Sequence, residues 1–315
     1  MDRMLSNHLR SGVFDGRPQH MKANTLDIII VSYNTSDLLA QCLVAIDLAE
    51  WPGLQTVWVV DNGSTDGSVE MVRQQFPSVV LIESGDNLGF SKANNLALQR
   101  CTGDFVLLLN PDTQVGKQSF IASAEYLNGH PDTGMVSCKL VTSDGSLDLA
   151  CRRSFPTAWD GFCRASGLSF RFPRSPLFAR YNLTYLDENE TYPVEAVNGA
   201  YMFCTRAAVN RVGLLDPEFF MYGEDLDWCY RFRQAGYKIV YHPTTTTIHH
   251  KGQSSAPRSE RMIKEMFKSN ILFCRKHYFP QRGWLWQQAV LVGMNVWERV
   301  ALLRNYCRKQ KTARP

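Results

Sequence analysis

Three carboxylates fall within four residues of the stretch GEDLDWCYR, at Glu224, Asp225 and Asp227. An ionised carboxylate held roughly 2.6 to 3.2 Å from a hydroxyl can take its proton as that hydroxyl attacks, so one of the three suffices as a general base. Acidic residues also favour the first turn of a helix through its macrodipole, and the cluster alone leaves both readings open. A further carboxylate, Asp112, follows the apolar run of LLLNPDT and so stands at the lip of a strand. Other apolar runs end in the same manner: Ser32-Tyr33-Asn34, Asp61-Asn62-Gly63-Ser64, Asn87-Leu88-Gly89 and Asn110-Pro111-Asp112 each close one. Turn chemistry favours Asn, Asp and Gly at any one such place. Four in succession aim polar groups at a common rim.

The elements that must hold these residues alternate along the first half of the chain. LDIIIVSY (26–33) is too short and too rich in β-branched residues for a helix and fits a strand covered on both faces. SDLLAQCLVAIDLAE then takes helical spacing, with Ser36 as a candidate N-cap and Trp51-Pro52-Gly53 as its end. TVWVVDNGS (56–64), STDGSVEMVRQQF and VVLIES (79–84) repeat strand, helix and strand; GDNLGFSKANNLALQR supplies a loop and helix, and DFVLLL (104–109) a fourth strand. Right-handed crossovers lay such strands into one parallel sheet with helices on both faces, and ligands bind beyond the carboxyl ends of its strands.

Neither a G-x-G-x-x-G fingerprint nor a Walker A lysine loop follows the first strand. A nucleotide site of this kind must manage phosphate charge differently. A hard divalent cation, Mg²⁺ or Mn²⁺, prefers oxygen ligands and bridges phosphate oxygens, which makes Asp112 the candidate metal ligand.

The net charge of +4 is modest but unevenly spread. Arg152, Arg153, Arg164, Arg171, Arg174 and Arg180 crowd one segment, and Arg304, Arg308, Lys309, Lys311 and Arg314 the end of the chain, which suits anionic partners or, more plainly, a solvated face. No helix-turn-helix, RNP or zinc-finger pattern accompanies the charge, so nucleic acid is not expected as a partner. Nine cysteines, odd in number and without a C-x-x-C pair, argue for a reducing, cytoplasmic setting. Residues 1–25 read as a flexible polar arm without a signal-peptide core, and no run approaches ~18 apolar residues.

In order, IIIVSYN, VVDNGSTDGS, NLGFSKANN, LLLNPDT, NGAYMFCTR, FFMYGEDLDWCYR and IHHKGQSS resemble the family 2 glycosyltransferases of GT-A fold, in the branch that includes bacterial rhamnosyltransferases. The resemblance covers roughly residues 26–280. It implies an α/β fold: a Rossmann-like GT-A domain with a mixed central sheet over 26–255, divided into a nucleotide-binding half (26–115) and an acceptor and catalytic half (116–255). A C-terminal helical extension, 256–315, follows.

The resemblance also implies roles. Ser32, Tyr33, Asn34, Asp61, Asn87, Asn94 and Asn110 would line the nucleotide and donor site, with Asp61 on the pyrimidine base; the plain alternative for Asp61 is an Asx turn into Asn62-Gly63. Asp112 and His249 would hold the cation. Because adjacent strand residues face opposite ways, only one of His249 and His250 can do so. The family's metal motif is Asp-x-Asp, and Asn110 replaces its first carboxylate here. Asp225 would be the base and Glu224 or Asp227 would orient the acceptor or backbone.

The implied activity is inverting transfer of a sugar from a nucleotide donor to a saccharide or lipid-linked acceptor in bacterial cell-surface polysaccharide synthesis. L-rhamnose from dTDP-rhamnose leads, with a UDP-hexose donor or a non-catalytic sugar-nucleotide-binding protein as alternatives. A glycosidase also flanks a sugar with two acids, but it needs one of them protonated and carries no nucleotide site. The segment 257–279 reads as an amphipathic helix with Ser259 as cap, and the Trp-rich segment beyond it, basic at its end, suits an interfacial helix on an anionic membrane surface. That gives a cytoplasmic protein able to lie on the inner face of the cytoplasmic membrane.

Overall fold

The structure, a computed structural model, describes residues 24–49, 51–250 and 259–312, with side chains as far as residue 307. The expected N-terminal arm lies, up to residue 23, outside the described residues, as do residues 251–255 of the IHHKGQSS block and the terminal basic side chains from Arg308 onward.

The apolar runs of the first half form strands, and the amphipathic segments between them form helices. β1 (Leu26–Ser32) is buried throughout, and α1 (Ser36–Leu48), β2 (Leu54–Asp61), α2 (Ser68–Gln75), β3 (Val80–Glu83), α3 (Phe90–Leu98) and β4 (Phe105–Leu109) follow in turn. The four strands are parallel in the order β3-β2-β1-β4, as the crossovers require. Ser32 stands opposite Asp61, and Ile30 opposite Leu109, so the polar residues that end these strands emerge at one edge.

The sheet then changes sense. After β5 (Thr113–Gln114), α4 (Ser119–Gly129) and β6 (Thr133–Val141) come α5 (Ala158–Ala165), α6 (Leu168–Arg171), β7 (Tyr192–Val194), β8 (Tyr201–Thr205), α7 (Arg206–Val212), α8 (Glu224–Gln234) and β9 (Lys238–His249). β8 runs antiparallel to β4 and to β6, while β9 runs parallel to β6. The outcome is a mixed nine-stranded sheet in the order β3-β2-β1-β4-β8-β6-β9-β5, with β7 on β9. Ile28, Leu107, Phe203, Trp228 and Phe232 are wholly buried against it; each large apolar side chain removed from water contributes roughly 1.5 to 3 kcal/mol.

α9 (Glu260–His277) begins at Ser259, whose hydroxyl accepts from the Met262 amide at 3.2 Å, and packs Ile263, Phe267 and Phe273 inward. α10 (Trp284–Thr312) leaves Leu285, Val292 and Leu303 exposed. No described helix is long and apolar enough to cross a membrane. The cysteines are all free thiols, eight buried and Cys307 exposed.

Candidate active site

The first wall of the site is made by local turn chemistry at the ends of β1 and β2. Asn34 sits in the left-handed region (φ 52), and its side-chain oxygen accepts from the Thr65 amide at 2.8 Å. Beside it, Tyr33 is 45% exposed and Ser32 is buried, bonded to Thr35 through the two hydroxyls at 2.9 Å. Asp61 is buried and divides its oxygens between two tasks. Oδ2 accepts from the amides of Gly63 and Ser64, at 3.2 and 3.0 Å, which is the Asx turn; Oδ1 is buried with no hydrogen-bond partner among the described residues. A buried acceptor left unpaired costs about 1 to 3 kcal/mol, so Oδ1 is poised for a ligand's N–H.

A cavity of about 370 Å³ opens there, lined by Asp61, Ser64, Thr65, Glu70 and Glu83 among others. Three carboxylates on its wall repel phosphate and suit the neutral, donor-bearing edge of a base.

The loop after β3 is fastened rather than open. Asn62 accepts from the Leu88 amide (2.9 Å) and donates to Asn87 Oδ1 (3.1 Å), which also accepts from the Gly89 amide. Gly89 (φ 82) is required because a Cβ there would lie 2.4 Å from the Phe220 carbonyl, the acceptor of the Phe90 amide. Asn94 is buried within α3 and donates to the Phe90 carbonyl at 2.9 Å, so both asparagines hold the loop and helix that carry the rim. Asn110 is tied at its backbone, its amide donating to Ala200 and its carbonyl accepting from the Thr113 hydroxyl.

Asp112 and His249 meet where β5 pairs with β9. Thr113 is in register with His249, and the two side chains are buried with Asp112 Oδ1 3.4 Å from His249 Nε2. His250 turns away, its Nδ1 2.8 Å from the Ser143 hydroxyl. Behind His249 stands Asp148, whose Oδ2 is 2.8 Å from Nδ1. Burial alone would push the imidazolium down, but the hydrogen bonds and charges of Asp112 and Asp148 outweigh it and raise it to about 9. A buried carboxylate facing an imidazole nitrogen, with a second carboxylate on the other nitrogen, is a donor set that fits a hard or borderline divalent cation. No group of three or more metal-ligating side chains occurs among the described residues.

The carboxylates of α8 are placed by a tight turn. Tyr222 (φ 68) and Gly223 (φ 78) are successive left-handed residues that swing the helix start inward. Asp225 Oδ2 accepts from Arg153 Nη2 at 2.5 Å, and its Oδ1 from the Leu226 amide at 2.8 Å. Arg153 is buried and also donates to the Val197 carbonyl. Burial, and next the charge of Asp225, pushes the Glu224 carboxyl up to about 8; its Oε2 has no hydrogen-bond partner among the described residues. Asp227 serves the framework, accepting from Arg231 Nε and lying 2.8 Å from His277 Nε2 on α9.

A chain of contacts links Asp225 to the pair of Asp112 and His249. Arg153 holds Asp225 and the Val197 carbonyl; the next residue, Asn198, donates to Asp148 at 3.3 Å, and Asp148 holds His249 against Asp112. One path of polar contacts thus runs from Asp225 to Asp112 through a single peptide, hydrogen-bonded as far as His249 and closed by the 3.4 Å approach of His249 to Asp112. Sequence reasoning missed Asp148 and Arg153. Nothing local marks Asp148, which lies 101 residues from His249. Arg153 was legible only as one of a basic cluster, and half of that cluster is engaged by partners within the protein. Arg152 is buried against the Leu186 and Asp187 carbonyls and Tyr192, Arg153 is buried against Asp225, and the half-buried Arg180 pairs with Asp160.

Comparison with known proteins gives concordant matches. Residues 23–268 match the family described as glycosyltransferase like family 2. An N-acetylglucosaminyl-diphospho-decaprenol L-rhamnosyltransferase of Mycobacterium tuberculosis is 30% identical over 273 residues, covering 83% of this chain and 86% of that protein. The rhamnosyltransferase WbbL of Escherichia coli K12 is 23% identical over 81% of this chain and 95% of its own length. Among solved structures, the mannosyltransferase PcManGT of Pyrobaculum calidifontis, in complex with GDP-Man and Mn²⁺, superposes with a TM-score of 0.56 at 19% identity. That match covers 83% of this chain and 66% of the other, just under two thirds of it. TarS 1–349 of S. aureus superposes at 0.52 with 15% identity, covering 86% and 78%.

Proposed function

Since this chain belongs to glycosyltransferase family 2 and is an enzyme of that family, we propose that it moves L-rhamnose from dTDP-L-rhamnose to a saccharide acceptor carried on a lipid diphosphate, with inversion at the anomeric carbon. The rhamnosyl group and the lipid-linked acceptor follow the names of its relatives. The observation that carries the reading is the path of polar contacts from Asp225 to Asp112, which holds a base candidate and a cation ligand on one wall.

In this reading Asp61 Oδ1 accepts the imide N–H of the pyrimidine, Tyr33 covers the ring, and the Asn34 and Asn87 turns shape the nucleoside pocket. Ser32, Asn94 and Asn110 keep the strand ends and the first turn of α3 in place. Asp112 and His249 would hold Mg²⁺ or Mn²⁺, which supplies charge neutralisation for the departing diphosphate. Asp225 takes the proton of the acceptor hydroxyl while its oxygen bonds to C1 and the bond from C1 to the diphosphate oxygen breaks. dTDP leaves from the opposite face. Arg153 fixes which oxygen of Asp225 faces the acceptor, and Glu224, protonated near neutral pH, can donate to an acceptor hydroxyl.

A UDP-hexose donor is the second reading, because the Asp61 pocket meets an edge that uracil and thymine share, and UDP is bound in a structural neighbour. A panel of sugar nucleotides titrated with and without Mn²⁺, followed by transfer assays, tests both. Tightest binding of dTDP-rhamnose, with transfer lost in Asp225→Asn while donor affinity stays within about twofold, is the expected result; full turnover by Asp225→Asn would overturn the assignment of the base.

A further inference from the structure

We propose that the segment 155–181, which carries α5 and α6, is a docking surface for an anionic lipid bilayer. Its two ends are pinned together, since the Ser154 amide donates to the Tyr181 carbonyl at 2.9 Å and the Ser154 hydroxyl to the Arg180 carbonyl at 3.1 Å. The segment is therefore a closed flap. Its root adjoins Arg153, the residue that holds Asp225.

The flap is aromatic and outward-facing. Phe162, Phe170 and Phe172 are 55%, 70% and 44% exposed. Trp159 stacks on Phe162 with centroids 5.5 Å apart, and Phe178 lies 5.4 Å from Phe172, so the rings form a rigid ladder rather than a collapsed core. A soluble surface rarely spends so many large apolar groups in one place, and aromatic rings beside cations suit the boundary between headgroups and acyl chains.

Charge selects the occupant. Arg164, Arg171 and Arg174 are exposed, and none is ion-paired with a carboxylate among the described residues; Arg171 rests over the Phe172 ring at 5.4 Å. The acid nearest in sequence, Asp160, is already engaged by Arg180 and by the Thr157 cap. Three cations with no local counter-charge attract an anionic surface. The same three set against their own copies across a two-fold axis would repel, which disfavours a second chain as the cover. An enzyme whose acceptor is lipid-borne gains from a bilayer contact rooted beside its base. Only the purpose of the contact rests on the transfer reading.

The test is flotation of the full chain with phosphatidylcholine vesicles, with and without phosphatidylglycerol, in the absence of nucleotide and acceptor. Failure of the donor assignment therefore leaves it standing, and the reverse holds too. The chain is expected to float with the anionic vesicles only. The triple variant Arg164→Gln/Arg171→Gln/Arg174→Gln should bind on the order of a hundredfold more weakly, and Phe162→Ser/Phe170→Ser/Phe172→Ser roughly tenfold or more. Replacing exposed Leu285, Val292 and Leu303 of α10 by Ser should leave flotation unchanged. Full flotation by both flap variants, loss through the α10 variant instead, or a dimer that the flap variants split in light scattering would each overturn the proposal. Unchanged near-UV circular dichroism of the flap variants guards against loss through misfolding.

Discussion

Arg153→Met replaces a guanidinium by an apolar chain of similar reach and leaves Asp225 without its partner. The two side chains are 9% and 13% exposed and meet at 2.5 Å, so water can replace little of what is lost. In the intact pair the desolvation of Arg153 acts against its charge, but the charge of Asp225 prevails and raises the guanidinium further above its ordinary value. Removing one member of a buried pair costs on the order of 3 kcal/mol or more, much of it from the charge left behind. Over 315 residues that corresponds to a fall of about 5 °C in Tm. The companion Asp225→Asn strands Arg153 in the same manner and should cost a similar amount, while the double variant removes both charges. A chemical-denaturation cycle of wild type, two singles and the double should therefore yield a coupling of roughly 2 kcal/mol or more, the double being less destabilised than the sum. In transfer assays Arg153→Met should lower kcat with little change in the KM of the donor, because Arg153 acts on the base and not on the nucleotide wall. Additive stabilities, or a melting temperature within about 1 °C of wild type, would refute the argument that this pair is what holds Asp225.

Asp148→Asn should weaken Mn²⁺ binding in the presence of nucleoside diphosphate about 10- to 100-fold, the usual cost of disturbing a residue that orients a ligating histidine; calorimetry that cannot tell it from wild type would remove Asp148 from that role. Glu224 gives a stability prediction with a definite sign. Its folded value near 8 lies above the ordinary 4.5, so the folded chain keeps a proton that the unfolded chain sheds between them. The contribution is whole below about 4.5 and is lost as pH rises toward 8, at up to ~1.4 kcal/mol per pH unit. Glu224→Gln should flatten that slope in denaturation curves between these values, and an unaltered slope would contradict it. Asp61→Asn retains an oxygen for the turn to Gly63 and Ser64 but presents an amide where Oδ1 stood. Affinity for dTDP should fall by about 10- to 100-fold, and equal affinity would mean that the base is read elsewhere.

The parts of this fold that were legible in the sequence are those fixed by local chemistry. LDIIIVS and FVLLL are buried strands because no helix face could hide such runs, and the Asx turn at Asp61 follows from residues within a few positions of each other. The rest was hidden because it depends on pairing across the chain. Nothing in YMFCT announces that β8 will enter antiparallel between β4 and β6. The resemblance supplied His249, but only the register of β5 on β9, which sets it opposite Thr113, brings it within 3.4 Å of Asp112. Arg152 and Arg153 sit in a row of six arginines that reads as one surface, and only the tertiary structure sorts the row into two buried framework cations, the half-buried Arg180 paired with Asp160, and three exposed ones.

That sorting bears on how the site holds its shape without ligands. The donor wall rests on short loops: the Asp61 turn is closed by its own amides, and Asn34 and Asn62 tie it to the adjoining loops. The acid wall leans on distant partners: Asp225, beyond its bond from the Leu226 amide, depends on a residue 72 positions away and His249 on one 101 away. Both dependences pass through Val197 and Asn198, the peptide that joins β7 to β8, where the Asn198 side chain also accepts from the Ala200 amide. A displacement of that peptide must loosen the base and the cation ligand together, whereas a displacement of the Asp61 turn touches neither. Substitutions on the two walls should therefore separate in kinetics, the first acting on turnover and metal dependence at once, the second on nucleotide affinity alone.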